Sequence, residues 1–274
     1  MINVFKSEWQ RLYSKKTTWF CFISIPILLI CAAKFFLGHN LGLDPSSSKF
    51  TVCYNFPVLA LQDNLALPIN SILILLTVLC VTDEFRSGSI RMVLIRPVKK
   101  IHIFYAKFLV IISTVFLFLV TFFVIAYIIG FFTFPKVSNI TMLYWNNTFG
   151  PMEVFIYTIK AYFIAFLTLV ALSSIVFFIS IISKSVIIAL GSNLAIVILS
   201  NVVIQILRMI VGKENILLVK LEWLIIPQMQ IEAIPNILGE HSNLCLYGFE
   251  VMLGYIILFV IINHLIYLKS DNLV

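Results

Sequence analysis

The sequence predicts an all-α integral membrane protein with six transmembrane helices, an interfacial amphipathic helix before them and both termini in the cytoplasm. Of its 274 residues, 61% are hydrophobic and only 11% are charged, a balance too apolar for a water-soluble domain of this length. Six stretches come close to the run of about 20 apolar residues that a spanning helix needs. These stretches are continuous rather than alternating with a period of two, which argues against a β-barrel wall.

The segment before the first span, residues 1–18, predicts a helix that lies flat on the inner leaflet. Its apolar residues recur at spacings of three and four, and its basic residues lie elsewhere around the helix. The apolar set is Ile2, Phe5, Trp9 and Leu12, and the basic set is Lys6, Arg11, Lys15 and Lys16. The alternative is a frayed cytoplasmic tail, which would expose the Trp9 ring to water without any gain.

The six spans follow from the runs without charged residues. They are predicted at about 19–37, 64–82, 103–134, 156–182, 186–211 and 246–268. The first uncharged run ends before Lys34, whose aliphatic stem can reach an interface while Phe35, Phe36 and Leu37 extend the span.

The distribution of charge predicts the orientation. With the N-terminus inside, the inner segments hold twelve of the nineteen basic residues and four of the twelve acidic ones. The net charge is then +8 inside and −1 outside, which agrees with +7 for the whole chain. The positive-inside rule therefore places both termini in the cytoplasm. Topology alone explains the basic charge, and no nucleic-acid partner is expected.

The inner loop at 83–102 carries the densest charge, in the stretch TDEFRSGSIRMVLIRPVKK. Residues 87–89 offer a turn and an N-cap, 90–96 can form about two helical turns, and Pro97 ends them. This pattern predicts a short helix across the cytoplasmic face. An ordinary loop that obeys the positive-inside rule is the alternative.

A polar stripe marks the outer half of the fifth predicted span. Asn201, Gln205 and Arg208 are spaced by four and three residues and fall within an arc of about 60° on a helix. Such a stripe is typical of a substrate route or a dimer contact. Hydrogen bonding between helices together with an interfacial arginine explains it equally well.

The outer segment at 212–245 is more than a plain linker. Leucines around Trp223 predict a short helix against the outer leaflet, and Pro227 and Pro235 break it into pieces. The alternative is an ordered but passive loop.

Metal and nucleotide sites are not predicted. The five cysteines and four histidines show no ligand spacing, and G-x-x-x-x-G-K-[ST] does not occur. Cys53 and Cys245 both fall outside and could pair, although free thiols are favoured. No catalytic residue is expected, because His264 alone offers reactive chemistry within the spans.

The inner loop also carries a resemblance to a known family. The order Glu84-Phe85-(two residues)-Gly88-Ser89-Ile90-Arg91-(two residues)-Leu94-(two residues)-Pro97, followed by Lys107, resembles the loop between spans two and three of the permease subunits of type-2 ATP-binding-cassette exporters. Six spans with the N-terminus inside and an amphipathic helix before the first are also similar to that family. Ser89 stands where threonine is frequent in the family.

The resemblance implies how the loop and its partners would work. The loop would contain a coupling helix that docks on a separate cytoplasmic ATPase, which binds ATP and Mg. The docking residues would be Glu84, Arg86, Gly88, Ser89, Arg91 and Pro97. Two permeases, identical or homologous, would work with two ATPases, and segment 212–245 would be a re-entrant closure of the outer end.

The expected function is therefore that of a permease subunit in a bacterial cytoplasmic membrane. Polar side chains in the spans are few and neutral, which favours export of an amphipathic or hydrophobic compound such as an antimicrobial peptide, an antibiotic or a lipid. The chain by itself is not expected to be an enzyme. Two alternatives are an autonomous immunity or scaffold protein without an ATPase, and an intramembrane enzyme.

Overall fold

The computed structural model describes residues 2–44, 47, 49–87, 100–137, 140–142, 144–145, 147–183, 185–211, 216–240 and 244–269, with the backbone alone at 83–87, 100, 211, 268 and 269. Within these ranges, six helices are long and apolar enough to cross a membrane. The only described sheet is a pair of two-residue strands. The predicted all-α, multi-pass membrane fold is confirmed.

The helices are named in chain order. They are α1 (Ile2–Tyr13), α2 (Lys16–Asn40), α3 (Phe56–Asn64), α4 (Asn70–Ser87), α5 (Lys100–Thr133), α6 (Pro151–Ile182), α7 (Val186–Val211), α8 (Ile216–Leu224), α9 (Ile226–Ile237) and α10 (Cys245–Lys269). A π-helical turn, Leu65–Ile69, joins α3 to α4, so that the second span is one continuous rod. The end of the bundle that carries α1 is called the inner end, and the opposite end the outer end.

The second span begins at Phe56, eight residues before the predicted position 64. The sequence prediction places the start of this span just after the charged residue Asp63. In the structure the Asp63 side chain is exposed, whereas Phe56 and Leu61 are fully buried. The charge therefore does not interrupt the helix. Pro68 has no N–H for the helical ladder, and the wider π turn accommodates it.

Helix α1 packs against α5 at the inner end. Three of its rings form a ladder along one face, with centroid distances of 5.8 Å from Phe5 to Trp9 and 4.5 Å from Trp9 to Tyr13. The Thr18 hydroxyl and the Trp19 indole donate hydrogen bonds to the carbonyl groups of Leu12 and Tyr13. These bonds satisfy carbonyls that the end of α1 leaves without helical partners, and they fix the corner between α1 and α2.

The core lies where α6 packs against α4 and α10. Large rings from neighbouring helices meet there, such as Phe104 and Phe177, whose rings are edge to face with centroids 5.4 Å apart. Helices α2, α7 and α10 expose many large apolar side chains. In a membrane, faces of this kind contact lipid or the helices of a neighbouring protein.

A short hairpin covers the outer end. Strands β1 (Ile140–Thr141) and β2 (Thr148–Phe149) are antiparallel, and the Trp145 indole donates a hydrogen bond of 2.8 Å to the Leu238 carbonyl oxygen beyond α9. A Cβ at Gly239 would lie 2.9 Å from the Tyr144 Cβ, so this approach requires glycine. The hairpin and the end of α9 therefore form one packed unit.

Candidate functional site

The outer segment between the last two spans folds into α8 and α9. The extended residue Ile225 separates the two helices, and Pro227 occupies the first turn of α9, where its missing N–H costs nothing. Most of α9 is buried between the spans. Tyr247 and Tyr255 of α10 donate hydrogen bonds to the Lys220 and Leu224 carbonyl oxygens, at 3.1 and 2.9 Å, and so hold α8.

A buried amide pair connects α9 to the second span. The Asn70 amide donates to Gln230 Oε1 at 2.6 Å, and the Gln230 amide donates back to Asn70 Oδ1 at 3.1 Å. The Gln230 amide also lies 3.3 Å from the Thr168 hydroxyl of α6, which accepts a weaker bond. All three side chains are fully buried. Since polar groups at this depth need partners, the three residues fix the depth of α9.

The predicted polar stripe on α7 divides into two parts. Asn201 Oδ1 accepts a hydrogen bond of 2.6 Å from the Gln228 amide of α9. Arg208 binds Glu222 of α8 through two bonds, Nε to Oε1 at 2.5 Å and Nη2 to Oε2 at 2.9 Å. The same Nη2 lies 3.2 Å from Oε1 of Glu232 on α9.

Gln205 differs from its two neighbours in the stripe, because its side chain is exposed. Asn201 and Arg208 both bond to the outer segment and attach it to α7. Together with the amide pair, these contacts form three separate groups, which are jointly called the outer polar network: Asn70, Thr168 and Gln230; Asn201 and Gln228; and Arg208, Glu222 and Glu232.

A second group of charges lies at the inner end. Oε2 of Glu8 on α1 accepts a hydrogen bond of 3.0 Å from Nζ of Lys107 on α5 and another from Arg11. The Lys107 side chain is only 1% exposed and that of Glu8 only 4%. Nζ of Lys107 also donates to the Cys80 carbonyl oxygen at 3.0 Å, and Nζ of Lys15 donates to the Leu79 carbonyl oxygen at 2.8 Å.

Glu8, Arg11, Lys15 and Lys107 are called the inner charge cluster. Their contacts hold α1, α4 and α5 together at the inner end. Lys15 and Lys107 contact the backbone of α4 at 79–80, and Lys107 belongs to α5. Helices α4 and α5 lead into and out of the inner loop. The cluster therefore ties α1 to both helical arms of that loop.

The predicted docking residues lie at the edge of the described structure. Glu84 and Arg86 lie on α4, which continues to Ser87, and only their backbone is described. Gly88, Ser89, Arg91 and Pro97 lie outside the described residues.

The sequence analysis did not identify the acidic residues of the inner charge cluster or of the outer polar network. Glu8 lies three residues after Phe5 and four before Leu12, on the apolar face of α1, and an acid at such a position indicates a buried partner. The pairing of Glu222, Glu232 and the two glutamines had no comparable signal, because it depends on how α8 and α9 fold back between the spans.

Within the described part of the chain, no group of three histidine, cysteine, aspartate or glutamate side chains lies close enough to hold a metal ion. Cys53 and Cys245 are separate free thiols. Burial raises the pKa of the Cys53 thiol, and the positive charge of Lys136 opposes that shift.

The chain belongs to a family of proteins of unknown function, DUF2705, whose model matches residues 27–273. No curated protein matches the chain.

Proposed function

We propose that the chain is the permease subunit of an ATP-driven exporter of the type-2 ATP-binding-cassette class in a bacterial cytoplasmic membrane. It works with a second copy or a homologue and with a separate ATPase that binds ATP and Mg. Its cargo is an amphipathic or hydrophobic compound, such as an antimicrobial peptide, an antibiotic or a lipid. The inner end of the bundle then faces the cytoplasm, as the basic residues there favour.

The observation that carries this proposal is that the two helices on either side of the inner loop are fixed to α1 by the inner charge cluster. Helix α4 continues to Ser87, beyond the apolar part of its span, which ends at Thr82, and α5 begins again at Lys100. The inner charge cluster joins both arms to α1. A soluble ATPase that pushes on such a loop would move the packed helices attached to it, whereas a flexible linker would not transmit the force.

The outer polar network supports the same proposal. Helix α9 fills the space between α4, α6 and α7 at the outer end, and its glutamines are bonded to the spans. In the proposed exporter, α9 in this position would close the outer end. A transporter that alternates its access has to close one end at a time.

A groove below α9 supports a lipophilic cargo. It has a volume of about 400 Å³ and lies between α6, α7 and α10, against the connection from Leu224 to Pro227. Its lining is almost entirely apolar, with Val176, Val197 and Val203 on its walls. A pocket of this size and character suits a hydrophobic compound that enters from the membrane.

Purification from the native host tests the proposal. A tagged chain in nanodiscs should carry an ATPase in equal amount, identified by mass spectrometry, and the complex should hydrolyse ATP. Glu84→Lys and Gly88→Trp should reduce the amount of bound ATPase or uncouple hydrolysis from transport. Glu240→Lys, the same charge change at an exposed outer position, is the matched control and should leave both unchanged.

Recovery of the chain alone, with no ATPase and no hydrolysis, would overturn the proposal. An autonomous immunity protein would then explain the fold better. Unchanged coupling in both loop variants would remove the docking role from the loop while leaving the other assignments in place.

A further inference from the structure

A groove with a volume of about 680 Å³ lies between α1, α5 and α6. None of its lining residues belongs to the outer polar network or to the inner charge cluster. This volume is within the range of about 300–1,000 Å³ that is typical of small-molecule sites. Six of its lining residues carry the argument: Phe5, Lys6, Trp9, Ser113, Phe116 and Phe166.

One end of the groove is apolar and is open at the side of the helix bundle. The Phe116 side chain is 55% exposed, and its ring meets that of Phe166 edge to face with centroids 5.9 Å apart. Both residues belong to membrane spans, so in the membrane this part of the groove opens onto hydrocarbon. The hydrocarbon next to this part of the groove consists of lipid acyl chains.

The other end carries a positive charge. Lys6 is exposed at the end of the groove formed by α1, and within the described chain it has no ion pair. Glu8 is the only acid of α1, and its carboxylate already binds Lys107 and Arg11. The charge at the groove is therefore unbalanced, and it is complementary to an anionic headgroup.

A hydroxyl group on α5 also lines the groove. Thr114 and Thr121 on α5 donate to the carbonyl oxygens four residues earlier, Val110 and Leu117, at 2.7 and 2.8 Å. Ser113 lines the groove and makes no such bond in the described structure. Its hydroxyl is available to donate to an ester carbonyl of a bound lipid.

We infer that this groove binds an anionic phospholipid from the leaflet on whose surface α1 lies. The phosphate pairs with Lys6, an ester carbonyl accepts from Ser113, and one acyl chain lies along Phe116 and Phe166. The lipid fills the gap between α1 and the spans. The inference does not depend on the proposed transport function.

Quenching of Trp9 fluorescence by brominated lipids tests the inference, because Trp9 lines the groove. The full chain is reconstituted into phosphatidylcholine vesicles with increasing fractions of brominated phosphatidylglycerol or brominated phosphatidylcholine. The Trp9 signal is the difference between each variant and the same variant carrying Trp9→Phe. Half-quenching should need about fivefold less of the anionic lipid, the preference expected for one lysine near a lipid phosphate.

Three variants separate the site from the general surface charge. Lys6→Gln should abolish the preference, and Lys6→Arg should retain it. Lys16→Gln removes an exposed cation that follows α1 but does not line the groove, so it should also retain the preference. Equal quenching by the two lipids in the wild type, or equal effects of Lys6→Gln and Lys16→Gln, would overturn the inference.

Discussion

Replacement of Glu8 by leucine should destabilise the fold far more than the loss of an exposed charge. The Glu8 and Lys107 side chains are 4% and 1% exposed, and their charged atoms lie 3.0 Å apart. Removal of one partner from a buried pair costs about 3–5 kcal/mol, because the remaining charge stays in a poorly solvated place. The Cys80 carbonyl oxygen still accepts from Lys107 at 3.0 Å, so we expect a loss of about 3 kcal/mol, at the lower end of that range.

A double-mutant cycle isolates the pair. Lys107→Met alone should cost about as much, because it leaves the Glu8 carboxylate buried beside Arg11 alone. The combination of Glu8→Leu and Lys107→Met should cost less than the sum, with a coupling energy of about 2 kcal/mol. In the double variant Arg11 can turn to water, since its side chain is already 27% exposed.

The free energy of unfolding in mixed micelles with increasing denaturing detergent measures these differences. Lys16→Met, which removes an exposed lysine beside α1, is the matched control and should change that free energy by no more than about 0.5 kcal/mol. The reasoning fails if the two single changes add within about 0.5 kcal/mol, or if Glu8→Leu costs no more than the control.

Three further predictions concern the outer end. Gln230→Leu should cost about 1–2 kcal/mol of unfolding free energy, because the fully buried Asn70 loses the donor to its Oδ1 and keeps only the bond from its amide nitrogen to the Ala66 carbonyl oxygen. Adding Asn70→Leu should restore most of that loss. Arg208→Lys keeps the charge but cannot form the two parallel bonds to Glu222, so amide hydrogen exchange in α8 should accelerate. Burial raises the pKa of the Cys53 thiol, so its thiolate fraction at neutral pH is below that of an ordinary cysteine; maleimide labelling of Cys53 should be slow and should accelerate as the pH rises.

Control variants and contrary outcomes test these expectations. Gln205→Leu makes the same chemical change as Gln230→Leu at an exposed position and should be nearly neutral; equal costs would contradict the role of the buried pair. Unchanged exchange in α8 after Arg208→Lys would show that the salt bridge does not hold that helix. An introduced Asn147→Cys, exposed at the outer end, is the reference for labelling, and Cys53 should not match its rate.

The sequence predicts the membrane fold well because the bilayer imposes a simple requirement. Each span needs a long apolar run, and such runs are read directly from the residues. The start of the second span was displaced because Asp63 looked like a boundary. Its exposed position within the helix depends on the neighbours of that face, which the sequence does not reveal.

The partners of the polar stripe on α7 could not be predicted from the sequence, for a related reason. Helical spacing places Asn201, Gln205 and Arg208 in one arc, yet two of them pair with α8 and α9 while Gln205 stays exposed. The partners come from a segment that folds back between the spans. Helical periodicity describes one helix at a time, so it cannot reveal which side of the stripe the returning segment will cover.

The two sides of the outer segment are held by bonds of unequal strength, which indicates where the outer end would open in the proposed exporter. On the α7 side, Arg208 forms charge-assisted bonds with Glu222 and Glu232, in addition to the neutral bond from Gln228 to Asn201. Towards α4 and α6, Gln230 is held by neutral amide and hydroxyl groups. Charge-assisted bonds are about twice as strong as neutral ones.

Movement that starts at the inner loop would therefore separate α9 from α4 and α6 before it separates the outer segment from α7. Neutral hydrogen bonds between membrane helices contribute only about 0.6 kcal/mol each on average, so the Gln230 contacts can break and re-form at modest cost. The inner charge cluster, whose disruption costs several times as much, would stay intact through the same cycle. A pair of cysteines that crosslinks α9 to α4 should then block transport, whereas a pair that crosslinks α8 to α7 should not.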